Sequence, residues 1–257
     1  DALTDADINV AVGYQSLSAD TLGSRSVAIG PFALQAQNFT TATSSYNVAV
    51  GADAGLSVTT GVGNTFVGGL AGDAVTTGQY NTYLGYAAAT NDDQSNDNVV
   101  IGAEAANNMN HGAATGFMAV VGFQAGYYNV TGTSNSYLGY RAGFGVSGNS
   151  NSNNAAIGRE SLYSVTTGSN NTVVGGPAGY NITSGSNNLM LGMDSGRSGS
   201  PGGAITTESN RIVLGDENIT AIYAQVQTIS ASDERDKTDF VGTSVLSMVT
   251  RLLKIMT

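Results

Sequence analysis

The chain of 257 residues contains no cysteine, no tryptophan and only three prolines. Without cysteine it forms no disulfide and offers no thiolate to a metal. It also lacks any apolar run close to the ~20 residues that a transmembrane helix requires, so we expect no membrane insertion. Charged residues make up only 11% of the chain, yet its mean hydropathy is near zero. This composition argues against a disordered, highly charged protein.

Lysine is missing from residues 1–232, where fifteen acidic side chains accompany five arginines. A stretch of this kind has no basic stripe to displace the counterions of a nucleic acid, so nucleic-acid binding is not expected. Residues 233–257 hold four acidic and four basic side chains, among them both lysines, Lys237 and Lys254. Residues 233–257 therefore differ from the rest of the chain in their charge balance and in containing lysine. Because the chain begins at Asp1 inside a repeat-like run, we expect it to be a fragment or a processed product.

Glycine, in contrast, is abundant, and twelve of the 35 glycines recur in one frame. The residue before each of these anchor glycines is Val, Ile or Leu in all 12 units. Asparagine stands four residues before the glycine in nine units, and Ala or Ser stands three residues after it in eleven. Seven of the eleven intervals have the same length, that from Gly51 to Gly68, and a fixed period of this kind predicts a solenoid. The anchor glycines are Gly13, Gly30, Gly51, Gly68, Gly85, Gly102, Gly122, Gly139, Gly158, Gly175, Gly192 and Gly215.

Each position of the unit carries a structural prediction. Triplets such as 65–67 and 82–84, rich in β-branched and aromatic residues, predict a strand of about four residues. We expect the invariant aliphatic residue to point inward and the glycine to permit a bend or a close backbone approach. The small Ala or Ser predicts a second short, crowded strand, and Thr-Thr-Gly segments such as 59–61 predict the return turn. The asparagines are expected to form a hydrogen-bonded ladder along the stack.

The sequence alone leaves two interpretations of how many chains form the solenoid. A single-chain β-helix of ~18 residues per coil is one interpretation, but it needs an aliphatic residue on each of three walls. Only one position per unit is always aliphatic, so we favour a thin β-roll that exposes an apolar edge. Three copies around a threefold axis would cover that edge. With strands ~4.8 Å apart, twelve units predict a rod of roughly 55–60 Å. The predicted fold is thus an all-β, repetitive shaft of ~17-residue units over residues 1–219, homotrimeric, with a short C-terminal α-helix.

Four intervals between anchor glycines are longer than the common period, and three of them, within the regular part of the repeat, contain small insertions. They run from Gly30 to Gly51, from Gly102 to Gly122 and from Gly139 to Gly158. They hold Phe39, Met109, His111 and the Asn- and Ser-rich run 147–154. Insertions in repeat proteins commonly form loops on a binding face, which is one interpretation. Drift between the selected strands is the simpler alternative.

After Gly215 the repeat ends. Residues 219–229 alternate apolar and polar side chains, which predicts a strand connector over 220–232. Residues 243–257 place apolar side chains on one helical face, with Thr243 or Ser244 available as N-cap, and this predicts the C-terminal helix. Such an apolar helical face requires a partner.

Residues 232–237, Ser-Asp-Glu-Arg-Asp-Lys, resemble the opening of the endosialidase-type intramolecular chaperone domain, or tail-spike peptidase domain. This domain ends many phage tail fibres and tailspikes. The resemblance extends over 233–257, and it implies that these residues are the start of a domain whose remainder would lie beyond Thr257. It implies trimerisation of the preceding β-structured fibre and self-cleavage between Ser232 and Asp233. Ser232 would be the nucleophile and Lys237 its assisting base, because a serine needs an adjacent base to attack. The alternative is a solvated turn before a helix.

The repeats themselves look like those of phage and virus fibres that precede this chaperone, and they are similar to the β-roll heads of trimeric autotransporter adhesins. Together these resemblances imply a structural virion fibre, of the phage tail or head type, at the particle surface. Its expected partners are its own copies, other virion proteins and a host surface glycan or protein. The alternative is a bacterial trimeric surface adhesin with a β-roll head. No cofactor is expected, and no enzymatic activity beyond self-cleavage.

Metal sites are not predicted. His111 is the only histidine and has no second histidine or cysteine to complete a zinc site, so we interpret it as a surface residue. Asp92, Asp93 and Asp97 form an acidic cluster whose oxygens suit calcium. The cluster lacks the EF-hand order and a closing glutamate, which favours a solvated turn.

Acidic and aromatic side chains give two further candidate sites. A pair of acids for glycoside hydrolysis is not evident, because the glutamates are scattered singly. These are Glu104, Glu160, Glu208 and Glu217. Aromatic residues near the anchor glycines either fill the trimer interface, which we favour, or form an outward stripe suited to sugar rings. These are Tyr14, Phe66, Tyr83, Tyr86, Phe123, Tyr137 and Tyr140.

Overall fold

The chain folds into an all-β parallel solenoid. The computed structural model describes residues 7–148 and 150–221, and the compact repeat unit ends at Asn218. Twelve three-residue strands pair in chain order in one parallel sheet, and two two-residue strands, Gly23–Ser24 and Thr43–Ser44, pair in a second. No helix occurs in the described part of the chain. The strands are β1 Val10–Val12, β2 Gly23–Ser24, β3 Val27–Ile29, β4 Thr43–Ser44, β5 Val48–Val50, β6 Thr65–Val67, β7 Thr82–Leu84, β8 Val99–Ile101, β9 Ala119–Val121, β10 Ser136–Leu138, β11 Ala155–Ile157, β12 Thr172–Val174, β13 Leu189–Leu191 and β14 Ile212–Leu214.

Equivalent residues of successive units lie side by side. Thr65 pairs with Thr82, and Thr82 in turn pairs with Val99 of the next unit. The longer interval between Gly30 and Gly51 keeps this register, since Val27 pairs with Val48. The predicted solenoid is therefore confirmed, with each unit forming one coil and longer units absorbing their extra residues outside the sheet.

The anchor glycines form a column in which successive coils almost touch. From Gly13 to Gly175 their φ angles lie between 132° and 142°, a region that side chains rarely adopt. A Cβ atom on Gly68 would lie 2.5 Å from the carbonyl oxygen of Gly85 and 2.6 Å from its carbonyl carbon. The predicted close backbone approach is confirmed, and it explains why no other residue occupies this position.

A buried column of asparagines ties neighbouring coils together. Asn81 accepts a hydrogen bond from the backbone N–H of Asn98 at 3.1 Å and donates one to the carbonyl of Ser95 at 2.8 Å. Its own backbone N–H donates to the side chain of Asn64 at 3.0 Å. Both ends of this buried amide thus find partners, as buried polar groups require. The predicted ladder is confirmed.

Replacing Asn81 by alanine is expected to destabilise the protein by about 2–3 kcal/mol, because two buried backbone groups, Asn98 N–H and Ser95 C=O, lose their partner. Denaturant unfolding followed by circular dichroism measures the change. The matched control is Asn91→Ala, which removes one exposed hydrogen bond to the carbonyl of Asn107. Equal costs for the two variants would contradict a structural role for the column.

The prediction that the invariant aliphatic residue points inward is wrong. In eleven of the twelve strands of the main sheet, all but the terminal β1, the middle residue is buried in the coil, and the aliphatic residue that follows it faces outward: 37% of Val67 and 50% of Leu138 are exposed. The reason is that the strand ends at the glycine, so alternation buries only its central side chain. The buried middle residues are Ala28, Ala49, Phe66, Tyr83, Val100, Val120, Tyr137, Ala156, Val173, Met190 and Val213.

The wall after the glycine column is not the predicted second strand. The small residue three after the glycine, such as Ala71, is buried as expected. Its neighbours Leu70 and Gly72 both have left-handed φ angles, of 60° and 58°. They bond in opposite directions: the N–H of Leu70 donates to Ala52 of the preceding coil, and that of Gly72 to Ala88 of the following one. In this wall, residues with left-handed φ angles therefore alternate with residues of negative φ, in place of an extended strand.

Several coils fill their interior through two positions that complement each other in size. The large middle residue Phe66 faces Gly72, and Tyr137 faces Gly143, six residues later in each case, where a Cβ atom would lie 2.5–2.6 Å from the ring. The small middle residue Ala156 precedes the buried Leu162 by the same spacing. The expectation that one chain has too few apolar positions to close its core is therefore wrong. A second copy of the chain is therefore not needed to close the core, and it could only cover the outer surface of the solenoid.

Two residues of the longer intervals are buried as well. Phe39 lies in the first insertion, and Met109 lies where Val75 lies in a regular coil, so neither side chain is presented on a binding face. The first insertion also supplies β4. The predicted C-terminal helix and nearly all of the predicted strand connector fall in residues 222–257, outside the described residues.

Candidate functional site

The outer face of the twelve-stranded sheet is the most extensive candidate surface. We define this outer face as the first and third residues of the twelve strands. None of them is charged, and every third residue is Val, Ile or Leu. Eight of these third residues are exposed and four are half-buried. A continuous apolar stripe of this length is unusual on a monomeric protein and marks a surface of interaction.

Aromatic side chains border the outer face on both sides. Tyr80 and Phe117, just before two strands, and Tyr86 and Phe123, just after them, are all exposed. A Cβ atom on Gly63 would lie 2.7 Å from the Tyr80 ring, so this ring covers the glycine of the preceding coil. These residues extend the apolar area laterally. Near the C-terminal end, a shallow concavity of about 360 Å³ opens along the same face and is lined by residues that include Asn187, Leu189 and Ile212.

The aromatic residues that the sequence grouped together fall into two sets. Phe66, Tyr83 and Tyr137 are fully buried in the core of the single chain, so they neither form a stripe nor contact a second copy. The others follow anchor glycines and point outward, with exposed fractions from 41% to 68%. These are Tyr14, Tyr86, Phe123 and Tyr140.

A second group of aromatic rings, which the sequence reasoning missed, stacks along the solenoid. Tyr127, Phe144, Tyr163 and Tyr180 lie five residues after four successive anchor glycines, with ring centroids 5.5, 5.0 and 4.8 Å apart and nearly parallel planes. The guanidinium of Arg197 lies 5.3 Å from the centroid of Tyr180. Because the rings occupy one another's faces, they stabilise coil stacking instead of offering a platform to a sugar.

A polar cluster lies inside the fifth coil, and it corrects the interpretation of Asp92 as part of a solvated turn. Asp92 is fully buried and accepts hydrogen bonds from the Tyr83 hydroxyl, at 2.5 Å, and from the Ser95 hydroxyl. Burial raises the pKa of the Asp92 carboxyl, while the two hydroxyl donors oppose that rise. The large ring of Tyr83 enters the core, and its hydroxyl requires this partner.

Replacing Asp92 by asparagine is expected to remove a pH-dependent penalty. Since the folded-state pKa of Asp92 is raised, its contribution to stability is full below its ordinary value of 3.8 and declines as pH rises through the folded pKa. The stability of Asp92→Asn relative to the unaltered protein should therefore grow from about pH 3.5 to about pH 7. Thermal unfolding across that range measures the difference. A difference that is constant with pH would contradict the assignment.

His111 is not a free surface residue. It is half-buried, and its Nε2 lies 2.8 Å from the carbonyl oxygen of Gly132. Burial lowers the pKa of His111, against the opposing effect of the nearby Asp92 carboxylate. No group of three or more metal-ligating side chains converges within residues 7–148 and 150–221.

The scattered glutamates make separate local contacts. Glu104 accepts a hydrogen bond from Gln124 at 2.7 Å, Glu160 pairs with Arg159 at 2.5 Å, and Glu208 accepts from the backbone of Thr206 at 2.7 Å. They lie on different coils and form no paired site.

The predicted self-cleavage site, Ser232 and Lys237, lies outside the described residues. The anchor glycines, by contrast, all lie within them and form the column described above. Over the stretch that the structure describes, no helix is long and apolar enough to cross a membrane.

Comparison of the chain with protein-family models, with curated proteins and with solved structures gave no match. What can be said of its function therefore depends on the repeat, on the outer face and on the motif at 232–237.

Proposed function

We propose that this chain is the shaft of a homotrimeric virion fibre, of the phage tail or head type, that projects from the particle and contacts a glycan or protein of the host surface. The observation that carries the proposal is the outer face, which is uncharged and has an aliphatic residue at the third position of all twelve strands. Burying it between copies removes apolar surface from water, at ~25 cal/mol per Å². Threefold symmetry lets the same stripe serve every copy.

The construction of the solenoid suits a stiff spacer. Each coil bonds to the next through the sheet and the alternating wall, and most coils also through the asparagine column, so a coil cannot bend away without breaking several hydrogen bonds at once. In a trimer, three equivalent copies of any receptor contact would act together, so weak individual contacts gain strength through effective concentration.

The β-solenoid is compatible with a non-enzymatic role, and the motif at 232–237 supports an assembly step. We propose that residues 233–257 begin a chaperone that trimerises the shaft. We also propose that Ser232, with Lys237 as base, then separates the shaft from the chaperone by cleavage before Asp233.

Mass spectrometry under native and denaturing conditions tests this proposal. The protein is expressed from its natural coding sequence, so that any sequence beyond Thr257 is retained. We expect a trimer whose subunits end at Ser232, and a Ser232→Ala variant that remains uncut. A monomer of uncut mass would overturn the fibre proposal. Antibodies against residues 7–221 should label virus particles, whereas labelling of a bacterial cell envelope would favour the adhesin.

A further inference from the structure

The asparagine column is interrupted at Met118, as it also is at Ser26 and Arg211. In regular coils the asparagine side chain donates to a carbonyl of the next coil, as Asn64 does to Gly78 at 2.8 Å and Asn154 to Gly168 at 3.0 Å. Gly132 occupies the equivalent position in the coil after Met118. The side chain of Met118 has no N–H to offer to its carbonyl.

His111 supplies the missing donor. Its ring reaches the Gly132 carbonyl from the insertion that precedes Met118, with Nε2 at 2.8 Å, and Asn129 donates to the same oxygen at 2.9 Å. The backbone N–H of His111 donates to the Ser95 hydroxyl at 3.3 Å. His111 thereby links the insertion to the coil before it and to the coil after it.

We propose that His111 is a pH-sensitive fastener that holds the insertion, residues 110–117, against the solenoid at neutral pH and releases it in mild acid. The Gly132 carbonyl can only accept, so Nε2 carries the proton of the neutral ring and Nδ1 carries none. Nδ1 is buried and has no hydrogen-bond partner. A second proton at Nδ1 therefore creates a buried cation with an unpaired donor, which favours the open, hydrated state of the insertion.

The groups around the ring determine the direction of the effect. Asp92 is the charged group that faces His111, and the Ser95 hydroxyl, which donates to the Asp92 carboxylate, lies between them. The Tyr83 hydroxyl also donates to this carboxylate. On the other side lie Gly132 and Asn129, which do not titrate. Gly116 closes the pocket so tightly that a Cβ atom there would lie 2.7 Å from Nδ1.

Burial outweighs both the hydrogen bond to the Gly132 carbonyl and the attraction of Asp92, so the pKa of His111 lies below its ordinary value. A histidine with a lowered folded-state pKa contributes full stability above its ordinary value of about 6.5. That contribution is lost as the pH falls below this value towards the folded-state pKa. The insertion is therefore closed at neutral pH and opens below it.

Hydrogen exchange measured by mass spectrometry tests the proposal on the whole protein. Protection factors, which remove the intrinsic pH dependence of exchange, are compared for residues 110–117 at about pH 7.5 and about pH 5. We expect a loss of about tenfold or more in acid, confined to this segment and its neighbours. In His111→Gln the amide still donates to Gly132 but does not titrate, so protection should be the same at both pH values. Equal protection of the unaltered protein, or an equal loss in the variant, would overturn the proposal.

Two further measurements keep the test decisive if His111→Gln fails to fold. The chain has one histidine, so a single ring resonance reports its titration, which should have a midpoint below about 6.5 and an Nε2-H tautomer in the neutral form. A midpoint at or above 6.5 overturns the proposal. In Asp92→Asn the acid loss of protection should persist, and its disappearance would make Asp92, not His111, the sensing group.

Discussion

The Gly68→Ala substitution is expected to lower the free energy of unfolding by about 4 kcal/mol or more. Alanine is strained at a φ of 132°, a region populated almost only by glycine. Its Cβ atom would also lie 2.5 Å from the carbonyl oxygen of Gly85, and backbone cannot move aside as a flexible side chain can. Relief requires the two coils to separate, which breaks the sheet pairing between β6 and β7. Steric strain and lost hydrogen bonds therefore add to an exceptionally large effect for one methyl group.

The adjacent glycine provides the control. A Cβ atom on Gly69 would meet no atom closer than 3.8 Å, and its φ is not in the left-handed region. Gly69→Ala should change stability by no more than about 0.5 kcal/mol. Urea unfolding followed by circular dichroism compares the two variants. Because coils of a solenoid unfold partly independently, hydrogen exchange should show the loss of protection centred on the coils of Gly68 and Gly85. Similar curves for both variants would contradict the steric account.

The periodic features of this fold were predictable because each has a local chemical cause. A glycine in every unit is required where backbones meet, and an asparagine in most units is required where buried amide groups need both a donor and an acceptor. Both causes depend only on position within the unit. The anchor glycines and the asparagine column followed from the sequence for that reason.

Orientation within the strand was not predictable from the invariant residue. Invariance of the aliphatic position suggested the core, yet the core is occupied by a position whose side chain varies widely in size, from Ala28 to Tyr83. In several coils the variation is tolerated because the residue six positions later compensates in size, as in the pairs Phe66 with Gly72 and Ala156 with Leu162. That covariation within one unit was present in the sequence, and it indicates which two positions share the interior.

The candidate sites illustrate a second limit. Asp92 looked like one acid among several in a polar turn, and its burial depends on the Tyr83 hydroxyl nine residues earlier. The role of His111 depends on Met118, which removes the amide that would otherwise serve Gly132. Relations of this kind arise between coils, and only the register of stacked units shows which residues meet.

A double substitution on the outer face, Leu138→Glu with Ile157→Glu, is expected to convert the proposed trimer into monomers. The two residues are paired neighbours in β10 and β11, and both are exposed in the single chain. In a monomer the carboxylates remain hydrated, so circular dichroism should show an unchanged fold. In a trimer, carboxylates from all three copies would be desolvated beside one another, at a cost of several kcal/mol. Native mass spectrometry should therefore show a single-chain mass for the variant.

A control variant tests the effect of added charge alone by placing two glutamates outside the outer face. Thr77 and Thr167 are exposed residues outside the sheet, in the segments that lead towards β7 and β12. Thr77→Glu with Thr167→Glu adds the same charge to a chain whose formal net charge is already −10, and it should remain trimeric. If both double variants dissociate, general repulsion rather than the outer face is responsible. If the Leu138 and Ile157 variant keeps the trimer mass, the copies associate through another surface. The reason is that an apolar interface loses affinity when each chain places two unpaired carboxylates in it.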